Sequence, residues 1–412
     1  MLAKKIINIT PNHVFFALNS IYYSVQLLTF LFISSIAMPQ DIGISSYIIA
    51  VSGVFAVVAR YGVPVYLVES VSLSSSGFDE EFNNSILFCL TLSLLTTIFL
   101  LGVAFFTEYL TVNSGMFLFC AILMIFINPA SMILEQGMIL EKRTDLLSKN
   151  AFLKIFLFPS AAFFTYILTD NFAWSLVLAN VSVLSSPLLV SYFQSHPIKR
   201  VNFYFVSKSC FIRILRQSFP YFINSLGLIL ILSIDKIYVA QSFSVEALGS
   251  YDLIWKCAIL VEFFLLQPAN ALYARRILDY ADKHPIKAPL IISGSAAFFS
   301  LAISQIDFSF AQVIWNLFFD KYDFNAGVFK MILCFLFIMF SVNQLRNIMA
   351  KRKLRIQSLV SSLLILSPII LGGTLGKFTS LIDVTHFLVV GSLIGLLFNL
   401  LSLLKWRNLR AF

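Results

Sequence analysis

The stretch from Ser218 to Arg276, SFPYFINSLGLILILSIDKIYVAQSFSVEALGSYDLIWKCAILVEFFLLQPANALYARR, reads as two apolar runs joined by a short loop, each long enough to cross a bilayer. Asp235, Lys236, Asp252, Lys256 and Glu262 fall inside these runs, at depths where charge is costly. The surrounding chain has the same character. Of its 412 residues 59% are hydrophobic and only 12% charged, and the mean hydropathy is +0.89, far too apolar for a soluble domain of this length. Runs of about 20 apolar residues, rather than alternating ten-residue strands, specify helices. The expected fold class is therefore all-α and polytopic.

Twelve spans are expected, near residues 14–36, 42–66, 84–106, 114–134, 150–169, 172–193, 218–241, 247–271, 287–306, 327–348, 356–376 and 383–404. About 23 of the 29 Lys and Arg residues lie on one side of this arrangement: at both termini and in the loops around 142–154, 199–216, 275–287 and 346–355. That side is expected to be cytoplasmic, with both termini inside. The first helix, led by Lys4 and Lys5, reads as a retained span rather than a cleaved leader. The longest hydrophilic interval, 194–217, divides the chain into an amino-terminal six-helix bundle (1–193), a basic cytoplasmic linker and a carboxy-terminal six-helix bundle (218–412). Phe15–Ser20 parallels Pro220–Ser225, Tyr47 parallels Tyr251 and Pro64 parallels Pro268, as in a parallel internal repeat around a central cavity. Residues 308–320 place apolar groups at helical spacing, either as an interfacial helix or as an extension of the ninth span.

Composition also excludes several classes. No aromatic-interleaved basic domain is present, so the net charge of +9 is a topology signal and no nucleic-acid partner is expected. Five scattered cysteines suggest no disulfide framework, and four histidines near span ends give no metal-ligand spacing. No catalytic residue, metal or cofactor is expected, and the chain does not read as an enzyme.

Polar stripes mark the candidate site. Asp252 and Lys256 share one face of the eighth span with Gln267; Asn224 and Asp235 stack on the seventh; Asn19, Tyr23 and Gln26 line the first; Arg60 lies on the second, at the break Tyr61-Gly62-Val63-Pro64. Lipid-facing helices have no use for such stripes, so these faces are expected to line a cavity between the halves. Two readings stay open for the charges: Asp252 and Lys256 neutralise each other or meet a ligand, and Asp235 and Lys236 sit at the outer interface or in the cavity. Glu262, near mid-span on another face, must be protonated, paired or cavity-facing.

Pro220, the run Ser233-Ile234-Asp235-Lys236-Ile237 and the run Glu246-Ala247-Leu248-Gly249-Ser250-Tyr251 resemble the Wzx-type O-antigen and polysaccharide flippases. These belong to the multidrug/oligosaccharidyl-lipid/polysaccharide exporter superfamily. Arg60–Pro64 and Leu317–Tyr322 are weaker likenesses, the latter with Asp320 where the family more often has Gly. The resemblance implies a flippase of the bacterial inner membrane. Its partners would be a polyprenyl-pyrophosphate-linked oligosaccharide (an O-antigen, capsule or exopolysaccharide repeat unit), the bilayer, and a polysaccharide polymerase and chain-length regulator. On that reading Arg60 and Lys256 meet the pyrophosphate and Asn19, Tyr23, Gln26, Asn224, Asp252 and Gln267 complete the cavity. Asp235 and Glu262 would couple transport to Na+ or H+. The competing readings are a multidrug/cation antiporter of the same superfamily, and a membrane glycosyltransferase or polymerase, which would need a larger ordered outer loop.

Overall fold

A computed structural model describes residues 11–73, 78–106, 114–194, 207–352, 354–376 and 378–408. Among them fifteen α-helices and no strands occur, as apolar runs that must satisfy their own backbone groups require. α1 (Pro11–Ile36), α2 (Pro39–Arg60), α4 (Phe78–Phe106), α5 (Ser114–Leu140), α6 (Thr144–Thr169), α9 (Lys208–Ser242), α11 (Lys287–Gln305), α13 (Ala326–Lys351), α14 (Arg355–Thr374) and α15 (Leu381–Asn408) are long and apolar enough to cross a membrane. The expected sixth span is a bent pair, α7 (Phe172–Leu184) and α8 (Ser186–Phe193), meeting at 42°. Pro187 opens α8, and a proline without an N–H breaks the ladder there. α10 (Val245–Lys283), which carries the charges of the expected eighth span, is not among these, so ten helices of the described residues, or eleven with the bent pair, are long and apolar enough to cross, against the twelve expected.

Three local differences from the sequence reading have physical causes. The second span stops at Arg60: Tyr61 and Gly62 take positive φ of 50° and 70°, and α3 (Val63–Leu73) restarts behind them. Gly62 is needed twice over, because a Cβ there would also lie 2.4 Å from the Phe222 nitrogen. The seventh span begins ten residues early, so Lys208, Arg213 and Arg216 stand on α9 rather than in a loop. Residues 195–206, the rest of the expected linker, lie outside the described residues. Finally, α12 (Ser309–Phe318) is a separate ten-residue helix, because Ile306 is extended and ends α11. Phe310, Val313, Ile314 and Leu317 of α12 are exposed while Trp315 is buried, the pattern of an interfacial helix rather than of a longer ninth span.

The chain forms two compact units. Unit 1 is Met1–Ile33 with Val51–Ser225; unit 2 is Ser34–Ala50 with Leu226–Phe412. In unit 1 a core of Val63, Tyr66, Leu67, Phe82, Phe88, Ile133 and Ile214 ties α3, α4, α5 and the start of α9 together. In unit 2 the most buried span is α13, against which α10, α11 and α15 pack. Large apolar side chains such as Phe163, Phe164 and Leu168 face outward, where hydrocarbon is the solvent.

Candidate functional site

Unit 2 gathers four of the five charges of the opening stretch. α9 and α10 run antiparallel through a short turn in which Ser244 caps α10, accepting a hydrogen bond from the Ala247 N–H at 3.0 Å. This sets Asp235 and Lys236 beside Tyr251 and Asp252. Lys236 Nζ forms the ion pair with Asp252 Oδ1, and Ser46 hydrogen bonds to the same carboxylate. Tyr251 donates to Asp235 Oδ2 at 2.8 Å, whereas Asp235 Oδ1 has no partner among the described residues. Asp235 is fully buried and Asp252 is 2% exposed, so neither lies at a wet interface. The cation paired with Asp252 thus comes from the neighbouring helix, while Lys256 continues the same face one turn on, half-buried. Glu262 stands about 9 Å further along α10, half-buried and without an ion pair among the described residues. The side chain of Gln267 lies outside the described residues.

The remaining expected site residues fall in unit 1. Arg60, at the end of α2, directs its guanidinium to the Met132 sulfur of α5, a weak acceptor that carries no charge, and no carboxylate pairs with it among the described residues. On α1, Asn19 and Gln26 are half-buried and Tyr23 is 56% exposed, whereas Tyr22, which the stripe omitted, is turned inward. Asn224 on α9 is exposed.

Two polar clusters escaped the sequence reading. Glu135 of α5 accepts from Lys154 Nζ at 3.3 Å and from Asn150 Nδ2 at 3.2 Å, and Asn150 in turn accepts from Ser186 Oγ at 2.7 Å. Lys154 was counted with the cytoplasmic loop, yet stands on α6. Glu81, in the first turn of α4, pairs with Arg213 and accepts from the Tyr66 hydroxyl at 3.1 Å. Each cluster joins residues far apart in sequence, which same-helix periodicity cannot reveal. A groove of about 420 Å³ beside Leu18, Lys149, Leu153 and Phe193 contains none of the expected site residues.

Within one turn of this cluster, the first turns of α2 and α10 cross at two glycines. A Cβ on Gly43 would lie 1.9 Å from the Val245 carbonyl oxygen, and one on Gly249 would lie 1.9 Å from that of Pro39. The loop after α12 straps this crossing: Lys321 Nζ donates to the Ile36 carbonyl at 3.0 Å and the Tyr322 hydroxyl to that of Ala37 at 3.2 Å. Among the described residues no group of three His, Cys, Asp or Glu side chains is placed to hold a metal ion.

Comparison with known proteins bears on this arrangement at two levels. A family model described as polysaccharide biosynthesis protein matches residues 13–274, from α1 through the charged part of α10. No curated protein matches the chain by sequence. Among solved structures, an inward-facing multidrug resistance MATE family transporter of the MOP superfamily superposes with a TM-score of 0.61 at 14% identity, covering 94% of each chain. A MOP superfamily transporter from Pyrococcus furiosus, reported for the reverse polarity of its binding pocket, gives 0.59 at 17%, covering 96% of this chain and 95% of its own. An outward-facing MATE transporter gives 0.57 at 17%, with the same coverage. At such identities the likeness is one of fold.

Proposed function

The chain belongs to the polysaccharide biosynthesis protein family, and on that premise we propose that it is a flippase for a polyprenyl-pyrophosphate-linked oligosaccharide. The observation that carries this reading is the family match itself, which spans both the α1–α2 polar residues and the charged part of α10. A pyrophosphate cannot cross hydrocarbon bare, and cations at membrane depth offset its charge. Arg60 and Lys256 are assigned that role. Asn19, Tyr23, Gln26, Asn224 and Gln267 are assigned to the sugars, and Asp252 to holding the lysines in place. The lipid tail remains in the bilayer while the headgroup passes from the cytoplasmic to the outer leaflet by alternating access. Asp235, a buried carboxyl with one oxygen unpartnered among the described residues, is the proposed point of coupling to H+ or Na+, with Glu262 as a second acidic group. The setting is a bacterial inner membrane with both termini cytoplasmic, beside a polymerase and a chain-length regulator.

The structural neighbours are described as multidrug resistance transporters, so the experiment includes both substrates. Proteoliposomes carrying the full chain are loaded with a fluorescent lipid-linked oligosaccharide or a cationic dye, with and without imposed ion gradients. The expected result is gradient-dependent movement of the oligosaccharide, retained by Lys256→Arg, largely lost in Lys256→Gln, and made gradient-insensitive by Asp235→Asn. Dye movement without oligosaccharide movement, or full transport by well-expressed Lys256→Gln, overturns the assignment.

A further inference from the structure

α13 carries an arginine, Arg346, that is 92% buried inside unit 2. Its hydrogen bonds run from one terminal nitrogen to Ser362 Oγ at 2.9 Å and Ser361 Oγ at 3.4 Å on α14, and its Nε has no partner among the described residues. Hydroxyls carry no charge, and a guanidinium cannot shed its proton. A buried cation in this state is strongly disfavoured unless a counter-charge arrives. The same unit shows the ordinary solution elsewhere, where Lys236 has Asp252.

A second group points to the same place. Asn399 of α15 is fully buried, and both its amide oxygen and its amide nitrogen lack partners among the described residues. One turn before it, a Cβ on Gly395 would stand 3.6 Å from Ser361 Oγ, so Asn399 sits about one turn from the hydroxyls that Arg346 touches. Ser362 Oγ already donates to the Ser358 carbonyl at 3.3 Å, but the guanidinium Nε–H, the two Asn399 amide N–H groups and the Ser361 hydroxyl remain as donors against the one unpartnered amide oxygen, a surplus of donors that is the complement of an oxyanion. Arg346 also lies five residues from the end of α13, near the basic run Lys351–Arg355, toward the leaflet that the charge count assigns to the cytoplasm.

We propose that Arg346, Ser361, Ser362 and Asn399 form an anion site that takes a phosphate group, supplied by a lipid headgroup or as free phosphate or pyrophosphate. The site is separate from Arg60 and Lys256 and does not depend on the substrate assigned above. It also touches the helix of the coupling carboxyl. On α9, a Cβ on Gly227 would lie 2.7 Å from the Ser362 Cβ, so a shift of Ser362 toward a bound anion changes the packing against α9.

The test uses the full chain in micelles of a phosphate-free detergent, dodecyl maltoside, titrated with inorganic phosphate and with pyrophosphate, and in the same micelles with added phosphatidylglycerol or a polyprenyl phosphate. Thermal unfolding and native mass spectrometry are the readouts. Wild type should be stabilised in a dose-dependent way by at least one phosphate-bearing probe. Arg346→Gln and Asn399→Leu should weaken that response about 10-fold or more. A response to the soluble anions identifies a free ion; retention of a phosphate lipid by wild type but not Arg346→Gln identifies a headgroup. Identical responses of wild type and Arg346→Gln, or no response of wild type to any probe, would show that Arg346 only staples α13 to α14. Should Arg346→Gln fail to fold, Ser361→Ala with Ser362→Ala is read by the same criteria.

Discussion

Replacing Lys236 by Gln strips Asp252 of the ion pair across the α9–α10 interface. The side chains of the two partners are 14% and 3% exposed, so little water is available to take over. Removing one partner of a buried pair typically costs about 3–5 kcal/mol, because the remaining charge stays desolvated. Ser46 still hydrogen bonds to the carboxylate, and Lys256, one turn along the same helix, recovers part of the loss. The expected penalty for Lys236→Gln is therefore about 3 kcal/mol. Lys256→Gln, acting at i+4, should cost about 1 kcal/mol or less. Deleting both charges, as Lys236→Met with Asp252→Leu, should come within about 1 kcal/mol of wild type, since the desolvation penalty goes with them. Reversible unfolding in mixed micelles, run as a double-mutant cycle, measures the coupling, expected at about 2–4 kcal/mol. Additivity within about 0.5 kcal/mol, or a larger loss from Lys256→Gln than from Lys236→Gln, would refute the assignment of Lys236 as the partner of Asp252.

Two further predictions concern the helix crossing beside this pair. Gly43→Ala and Gly249→Ala each drive a methyl into a backbone carbonyl of the facing helix and should destabilise the protein by about 1–3 kcal/mol or more, whereas Gly102→Ala, whose Cβ would meet nothing within 4 Å, should be neutral or stabilising in the same unfolding assay. Tyr322→Phe leaves the Ala37 carbonyl without its donor and should cost about 1–3 kcal/mol. Burial, and then the nearby Asp41, pushes the Tyr322 phenol up. Its contribution is therefore whole below the ordinary tyrosine value of about 10 and is lost as pH rises from there toward the folded value, so the difference between wild type and Tyr322→Phe should shrink only on the alkaline side. A difference that already vanishes near neutral pH would exclude the hydrogen bond as its source.

What the sequence makes legible is what one helix, taken alone, can display. Apolar length gives ten of the spans and the bent pair, and the all-helical architecture of the described residues follows from it. The i,i+4 relation of Asp252 and Lys256 correctly puts them on one face. Which cation claims Asp252 is decided by a neighbouring helix, and periodicity has no access to that choice. Lys236, adjacent to Asp235, reads as the partner of neither. The same blindness hides Glu135 with Lys154, Asn150 and Ser186, whose members are spread over α5, α6 and α8. Arg346 was lost for another reason: counting Lys and Arg to orient the chain treats every cation near a span end as solvated, and this one is buried. The Tyr61–Gly62 break was visible as glycine and proline, but its depth within the span depends on the backbone of Phe222 pressing against Gly62.

The glycine crossing also constrains how the sequence can drift. Pro39 and Val245 each start a helix, Gly43 and Gly249 follow four residues later, and each glycine rests on the opposite helix's first residue. Although 206 residues separate them, the two glycines answer to one requirement: neither helix can acquire a side chain at this height while the other keeps its present path. A methyl at either position would have to push back the first carbonyl of the facing helix, and a shift that made room at one glycine would also move the backbone against which the other rests. The two sites are therefore free to change only together, while positions one turn further along either helix carry no such tie.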